Sequence, residues 1–275
     1  MKKGMRRERL PLFLGGVIVS AVLLTAALAP LLAPHPLDFH DDEALLASPS
    51  AQHPLGTDED GTDVLTQLLH GARVAVVVGV LTVVVSLVLG LAVGLVAGYR
   101  GGVVDELLMR FTELLLSFPG ILLAILVIFV TQEPSTLSVV AALSVTGWAG
   151  YARLVRGQTL LVRQQEFITA ARCSGSSTPR ILARHVLPNV LAPVIVQATF
   201  GVASAILAEA ALSFLGLGPQ DTPSWGAMLE QGAALFIKSP ALALAPGLAI
   251  VVTVMGINLL GDALRDRMDP HRHTR

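Results

Sequence analysis

A chain of 275 residues is long enough for one or two soluble domains, but 53% of these residues are hydrophobic, only 14% are charged, and the mean hydropathy is +0.69. Soluble domains carry roughly a quarter charged residues, so the composition excludes an ordinary soluble protein. The net charge of −1 says little until its distribution is read, and the single cysteine, Cys173, excludes an internal disulfide.

The first apolar run, Leu12–Ala33, follows a basic tail. It exceeds the roughly 7–15 residue apolar core of a signal peptide, and Leu31-Leu32-Ala33-Pro34 is a poor cleavage site, so an uncleaved anchor helix is expected. An acidic segment follows, with Asp38, Asp41, Asp42, Glu43, Asp58, Glu59, Asp60 and Asp63. The second span, Val74–Gly98, carries Gly90, Gly94 and Gly98 at a spacing of four, which places them on one helix face. In lipid such a face admits a second helix closely, either from the same chain or from a second subunit. Leu114–Gln132 and Pro134–Ala152 are the third and fourth spans, joined by a tight hairpin around Gln132-Glu133-Pro134. The fifth, about Val190–Leu215, holds one charge, Glu209, for which a structural hydrogen bond to a neighbouring helix is expected. Ser239–Gly261 is the sixth. A bilayer core needs about 20 apolar residues per helix, so the expected fold is an all-α membrane protein of six transmembrane helices.

Basic residues set the orientation. With the N-terminus in the cytoplasm, 17 of the 19 Lys and Arg lie inside, and only Arg73 and Lys238 lie outside. Both termini are therefore expected in the cytoplasm. Three regions follow: residues 1–72 with the first helix and the acidic outer segment, 73–262 with five helices, and a tail at 263–275.

The inner loop 153–188 carries six arginines. Leu160–Ser174 has helical character, and Gly175 is placed to end it, because glycine adopts the left-handed conformation without steric penalty. Thr178 then reads as an N-cap and Pro179 as a first helical residue. A second helix is expected to run to about Leu187 and yield near Pro188, with Arg180 and Arg184 on one side. A solvated basic connector would also satisfy the charge rule; two capped helices are more order than topology requires. Gly101, in the other inner loop, is expected to tolerate valine better than Gly175.

In this loop Thr169-Ala170-Ala171, then Gly175, then His185-Val186-Leu187-Pro188 resembles the EAA loop of bacterial ABC importer permeases. Further stretches resemble the dipeptide/oligopeptide/nickel permease family. They are His53-Pro54-Leu55-Gly56-Thr57-Asp58 with Gly61 and Asp63, Gly71-Ala72-Arg73, and Ala97-Gly98-Tyr99-Arg100-Gly101-Gly102. Glu209–Gly218, Ser224–Leu229, Asn258–Asp262, Leu264-Arg265-Asp266 and Asp269-Pro270 continue the match in order. Two positions depart from the pattern: Thr169 stands where a glutamate is usual, and Thr62 where an arginine is usual.

The resemblance implies the type I ABC importer permease fold, in the C-type member of the permease pair. It implies a bacterial inner-membrane location, a homologous second permease subunit, two cytoplasmic ATPase subunits and an external substrate-binding protein. It implies ATPase docking through Thr169, Ala170, Ala171, Gly175, Pro179, Arg180, Arg184, His185, Leu187 and Pro188. Its cargo would be peptides, nickel or other small solutes, passed by alternating access.

No cofactor is expected on this chain. The phosphate cradle G-x-x-x-x-G-K-[S/T] is missing, and no Gly-Lys pair occurs; ATP would bind the partner subunits. No nucleic-acid partner is expected. His35, His40 and His53 share the outer segment with carboxylates, but their spacing matches no ligand motif, so solvated side chains and no metal site are expected. The alternatives fare worse. An intramembrane serine protease needs a G-x-S-G motif and a histidine at membrane depth, and the spans hold neither. A stand-alone channel or secondary transporter would be expected to show more intramembrane charge or an inverted repeat.

Overall fold

The computed structural model describes residues 2–132, 134–220 and 222–268, with side chains from residue 10 onward. Glu133 of the expected hairpin, the tail motif Asp269-Pro270, and His271 and His273 lie outside the described residues. Among the described residues all regular elements are helices. They are α1 (Lys2–Leu32), α2 (Val64–Arg100), α3 (Gly102–Ser117), α4 (Gly120–Thr131) and α5 (Thr136–Arg163), then α6 (Glu166–Cys173), α7 (Thr178–Ile181), α8 (Leu187–Phe214), α9 (Trp225–Ala234) and α10 (Ala241–Met268). Five segments are long and apolar enough to cross a membrane alone: Leu10–Leu32, Val64–Arg100, Thr136–Arg163, Thr178–Phe214 and Ala241–Met268.

The starts of three helices follow from capping. Asp63 Oδ1 accepts from the Thr66 amide at 2.7 Å ahead of α2. Ser135 and Ser138 form a reciprocal capping box ahead of α5, and Ser224 accepts from the Ala227 amide ahead of α9. Since α2 starts at Val64, it runs through the division expected at residue 72.

The third span differs from the sequence reading. Leu114–Gln132 is one apolar run, but the chain turns by 88° between α3 and α4, at Phe118-Pro119. Proline lacks a donor and disfavours helical backbone in the residue before it; Phe118 is accordingly extended, at φ −92° and ψ 141°. The 12 residues of α4 reach about 18 Å at 1.5 Å per residue, well short of the roughly 30 Å hydrocarbon layer. Ala124 and Ile128 of α4 pack with Val139, Val140 and Leu143 near the start of α5, with Val74 and Val78 of α2, and with Leu212 of α8. At its start α4 also approaches α5 at Thr146, 3.6 Å from a Cβ built on Gly120.

Two further apolar clusters complete the core. One joins α1, the beginning of α2, α8, α9 and α10 through Ala26, Val64, Ile206, Trp225 and Ile257. The other lies at the opposite end and joins α2, α5 and α8 to the loop helices through Tyr99, Val155, Ile168, Ile181 and Val190.

Candidate functional site: a basic two-helix loop and a hydroxyl-lined cleft

The glycine ladder of α2 packs against α5 of the same chain, and this is the most extensive helix pair. A Cβ on Gly94 would lie 2.6 Å from the Ala152 carbonyl oxygen and from Val155 Cβ; one on Gly98 would lie 2.7 Å from Thr159 Cβ. Gly90 lies against Tyr151 and Trp148 in the same way. Only glycine admits this approach, which fixes the C-terminal halves of α2 and α5 as one unit.

The loop hangs between α5 and α8. α5 ends at Arg163, the short α6 follows, and Gly175 turns the chain at φ +76°. The Ser176 amide donates to Ala171 O at 3.1 Å and the Gly175 amide to Arg172 O at 2.9 Å, satisfying the last carbonyls of α6. The N-cap of α7 is Ser177 rather than Thr178, and Pro179 sits in the first turn. The chain does not yield at Pro188. A π turn over Leu182–Val186 leads directly into α8, and the Leu187 amide reaches back five residues to Leu182 O. The widened turn accommodates a proline that cannot donate to the carbonyl four residues back. Asn189 Nδ2 donates to His185 O at 2.7 Å just beyond it.

The loop has two faces. Ile168 and Ile181 are buried against Tyr99, Val155, Val186 and Val190. Arg172 Nε donates to the Tyr99 hydroxyl at 3.2 Å, and its guanidinium stands 5.1 Å above the Tyr99 ring, tying α6 to α2. On the other side Thr169, Ala170, Gly175, Pro179, Arg180, Arg184 and Pro188 are exposed, while Ala171, His185 and Leu187 are half-buried. No atom lies within 4 Å of a Cβ built on Gly175, so a side chain there would point away from the protein.

Several features escaped the sequence. Arg156 and Asp105 form a two-pronged pair, Nε to Oδ1 at 2.6 Å and Nη2 to Oδ2 at 2.8 Å, joining α5 to α3. They are 51 positions apart, and the positive-inside pattern already accounted for the arginine. Beneath the α3–α4 elbow lies a cleft of about 310 Å³, lined by Thr82, Ser86, Gly147, Tyr151, Gln197 and Gly201 among others. The hydroxyls of Thr82, Ser86 and Tyr151 are buried and have no hydrogen-bond partner among the described residues. A signal existed here: Thr82 and Ser86 continue the four-residue spacing of Gly90, Gly94 and Gly98 toward the other end of α2.

At the end opposite the loop, Glu209 is buried and accepts a 2.6 Å hydrogen bond from Ser213, one turn on in α8. Trp225 Nε1 donates to Leu68 O of α2 at 2.9 Å. This bond holds α9 against α2. The acidic segment between α1 and α2 is ordered rather than a solvated strand of charge. His53 is only 3% exposed, contrary to the expectation for a loop histidine, and its Nδ1 lies 3.1 Å from Asp63 Oδ2. Thr62, which departs from the family pattern, is buried with its hydroxyl 3.1 Å from His40 Nδ1.

A helical membrane bundle with a buried-and-exposed two-helix loop between its third and fourth long helices, α5 and α8, has the architecture of an ABC importer permease. Residues 90–274 match the family described as binding-protein-dependent transport system inner membrane component, and the chain belongs to that family. It is 40% identical over 269 residues to the dipeptide transport system permease protein DppC of Alkalihalophilus pseudofirmus, covering 98% of this chain and 88% of that protein. It is 42% identical over 256 residues to the glutathione transport system permease protein GsiD of Escherichia coli, covering 92% and 84%. Among solved structures, an inward-facing form of the MetNI methionine ABC transporter matches with a TM-score of 0.62 at 18% identity, over 74% of this chain and 96% of that one; this likeness shows the fold. The chain is thus a multi-pass inner-membrane permease subunit of an ABC importer, not an enzyme, and its family works with ATPase and substrate-binding partners.

Proposed function

We propose that this chain forms one half of a heterodimeric pathway for small peptides, with both termini in the cytoplasm and two ATPase subunits bound to the complex, one of them docked on the 164–188 loop. The observation that carries the reading is the two-sided loop: Ile168 and Ile181 seat it on α2, α5 and α8, while Thr169, Ala170, Gly175, Pro179, Arg180 and Arg184 face outward. Motion of a docked ATPase would reach α5 through Gln164 and α8 through the π turn without an intervening flexible linker. ATP binds the partners, since this chain carries no phosphate cradle. The relatives' cargoes, dipeptides and glutathione, support a peptide substrate for this chain.

The unpartnered hydroxyls of the cleft belong to the same reading. An unmade hydrogen bond of a buried polar group costs roughly 1–3 kcal/mol, so Thr82, Ser86 and Tyr151 are suited to meet water or the amide groups of a passing peptide. The test is reconstitution in proteoliposomes. The chain alone should hydrolyse no ATP and move no dipeptide; with the second permease, ATPases and binding protein it should do both. Stoichiometric ATP hydrolysis by the chain alone, or failure to retain any ATPase subunit on co-purification, would refute the proposal.

A further inference from the structure

We propose that His35, His53 and Asp63 form a binding site for a divalent transition cation of the zinc class, which fastens the outer segment to the start of α2. Their sequence spacing follows no ligand motif, but the fold brings one ligand atom from each within 4.8 Å of the others. His53 and Asp63 are buried and His35 is half-buried, which leaves an approach from solvent.

The detailed geometry suits an ion. Asp63 divides its carboxylate: Oδ1 caps α2 by accepting from Thr66 N at 2.7 Å, and Oδ2 faces His53 Nδ1 at 3.1 Å. Zinc–nitrogen and zinc–oxygen bonds of about 2.0–2.1 Å place neighbouring tetrahedral ligands roughly 3.3 Å apart, so this pair already stands at the separation of one tetrahedral edge. Each imidazole has its Nε2 beside an oxygen: His35 Nε2 lies 3.1 Å from Gln52 O, and His53 Nε2 lies 3.6 Å from Asp41 Oδ2. A proton held on His35 Nε2 by Gln52 O leaves its Nδ1 with a free lone pair, the arrangement in which outer-shell oxygens orient metal-binding histidines. His53 Nδ1 and Asp63 Oδ2, 3.1 Å apart, are joined either by a proton on Nδ1 or by a cation between them. The His35 ring stacks on Phe39 with centroids 4.8 Å apart and sits 5.0 Å from the His53 ring, so a small swing completes the set. Between Pro34 and Gly71 the chain has eight carboxylates and neither Lys nor Arg, a field that concentrates cations. Imidazole with carboxylate favours zinc-class ions over calcium or magnesium. Three protein ligands leave a fourth position for water.

The rival arrangement is a proton on His53 Nδ1 and no ion. The experiment uses the full chain in lipid nanodiscs, without a histidine tag and with the tail residues His271 and His273 replaced by asparagine. Titration with Co²⁺, a spectroscopic substitute for zinc, should give one equivalent bound, with visible absorption bands that Zn²⁺ abolishes and Mg²⁺ or Ca²⁺ does not. His35→Gln, which removes a half-buried ligand and spares the His53–Asp63 pair, should weaken binding at least about 30-fold, in the range by which perturbed metal sites lose affinity. His53→Gln should abolish it, and Zn²⁺ should raise the unfolding temperature of the parent chain but not of either variant. The proposal is overturned if no stoichiometric binding occurs at 100 μM Co²⁺ or Zn²⁺, which assigns the pair to a proton bridge alone. Binding that persists unchanged in His35→Gln overturns it equally.

Discussion

Valine at Gly175 is the sharpest perturbation of the loop. Gly175 has φ +76°, and a Cβ built on it meets nothing within 4 Å. The penalty inside this chain is therefore one of backbone alone, with no packing clash. An L-residue in the left-handed region costs about 1–2 kcal/mol, and a β-branched one sits at the top of that range. At about 1.4 kcal/mol per tenfold, 2 kcal/mol lowers the population of the native turn roughly 30-fold relative to competing turn geometries. If docking needs the native turn, the apparent ATPase affinity falls by the factor through which the competent fraction falls, up to about 30-fold. Insertion should be normal, because the turn lies outside the spans. Gly175→Asn separates the two effects, since asparagine visits the left-handed region readily yet still adds bulk to the exposed face.

The assays are ATPase pull-down, and uptake with hydrolysis in proteoliposomes containing the whole complex. Loss with valine and retention with asparagine is the expected result, and it assigns the effect to the backbone. Normal coupled uptake by Gly175→Val would refute the reasoning and leave the loop a solvated connector. Gly101→Val is not the mild control that the sequence suggested. Gly101 has φ +68° and ψ −165°, a region essentially confined to glycine, and its Cβ would lie 3.2 Å from Arg163 Nη1. Gly157→Ala is the right control: the residue is helical, an added Cβ meets nothing within 4 Å, and alanine favours helix by about 1 kcal/mol.

Other perturbations test the remaining parts. Gly94→Ala should lower the unfolding temperature of the complex in a thermal-shift assay, since overpacking costs about 1–3 kcal/mol where a Cβ would stand 2.6 Å from the Ala152 carbonyl; an unchanged midpoint would mean the helices separate freely. Glu209→Ala should destabilise by about 1–3 kcal/mol by stranding the buried Ser213 hydroxyl, whereas Glu209→Gln should retain most of the stability; equal losses would point to a charge requirement instead. With Cys173 replaced, single cysteines at Asp42 and Gln164, both exposed, should label from opposite sides of intact cells; labelling from one side would overturn the orientation.

The spans were legible because each is a long apolar run, and the glycine ladder because its spacing matches a helix face. Periodicity could not say which helix covers that face; only the approach of Ala152, Val155 and Thr159 does. The elbow was visible as Phe118-Pro119-Gly120 but was hidden by averaging, because a hydropathy run counts apolar residues without regard to direction. Pro188 misled in the opposite way. A proline usually ends a helix, yet a π turn before it lets the chain continue into α8. Ser177 rather than Thr178 caps α7, an error of one residue of the kind that terminal assignments invite. The Arg156–Asp105 pair was out of reach because it depends on tertiary approach across 51 positions, while His35, His53 and Asp63 share one segment whose turns, not its spacing, bring them together.

These contacts also fix how force could travel from the loop. α6 is tied to Tyr99 at the end of α2 by Arg172, while α2 and α5 meet along Gly90, Gly94 and Gly98 with no room to slide. A push on the loop is therefore delivered to α2 and α5 together. α8 receives it separately, through the π turn that leads into it without a break. The α3–α4 elbow sits where these two paths diverge: α3 is pinned to α5 by Asp105–Arg156, while α4 packs on the beginnings of α2 and α5 and on the end of α8. Relative movement of the α2–α5 unit and α8 must then be absorbed around Phe118-Pro119 and in the cleft beneath it. Thr82, Ser86 and Tyr151 line that cleft on α2 and α5, with Gln197 and Gly201 facing them from α8. A change in spacing between these two walls alters which groups the hydroxyls can reach, so if an ATPase docks on the loop as proposed, a displacement it imposes there would retune the polar lining of the cleft.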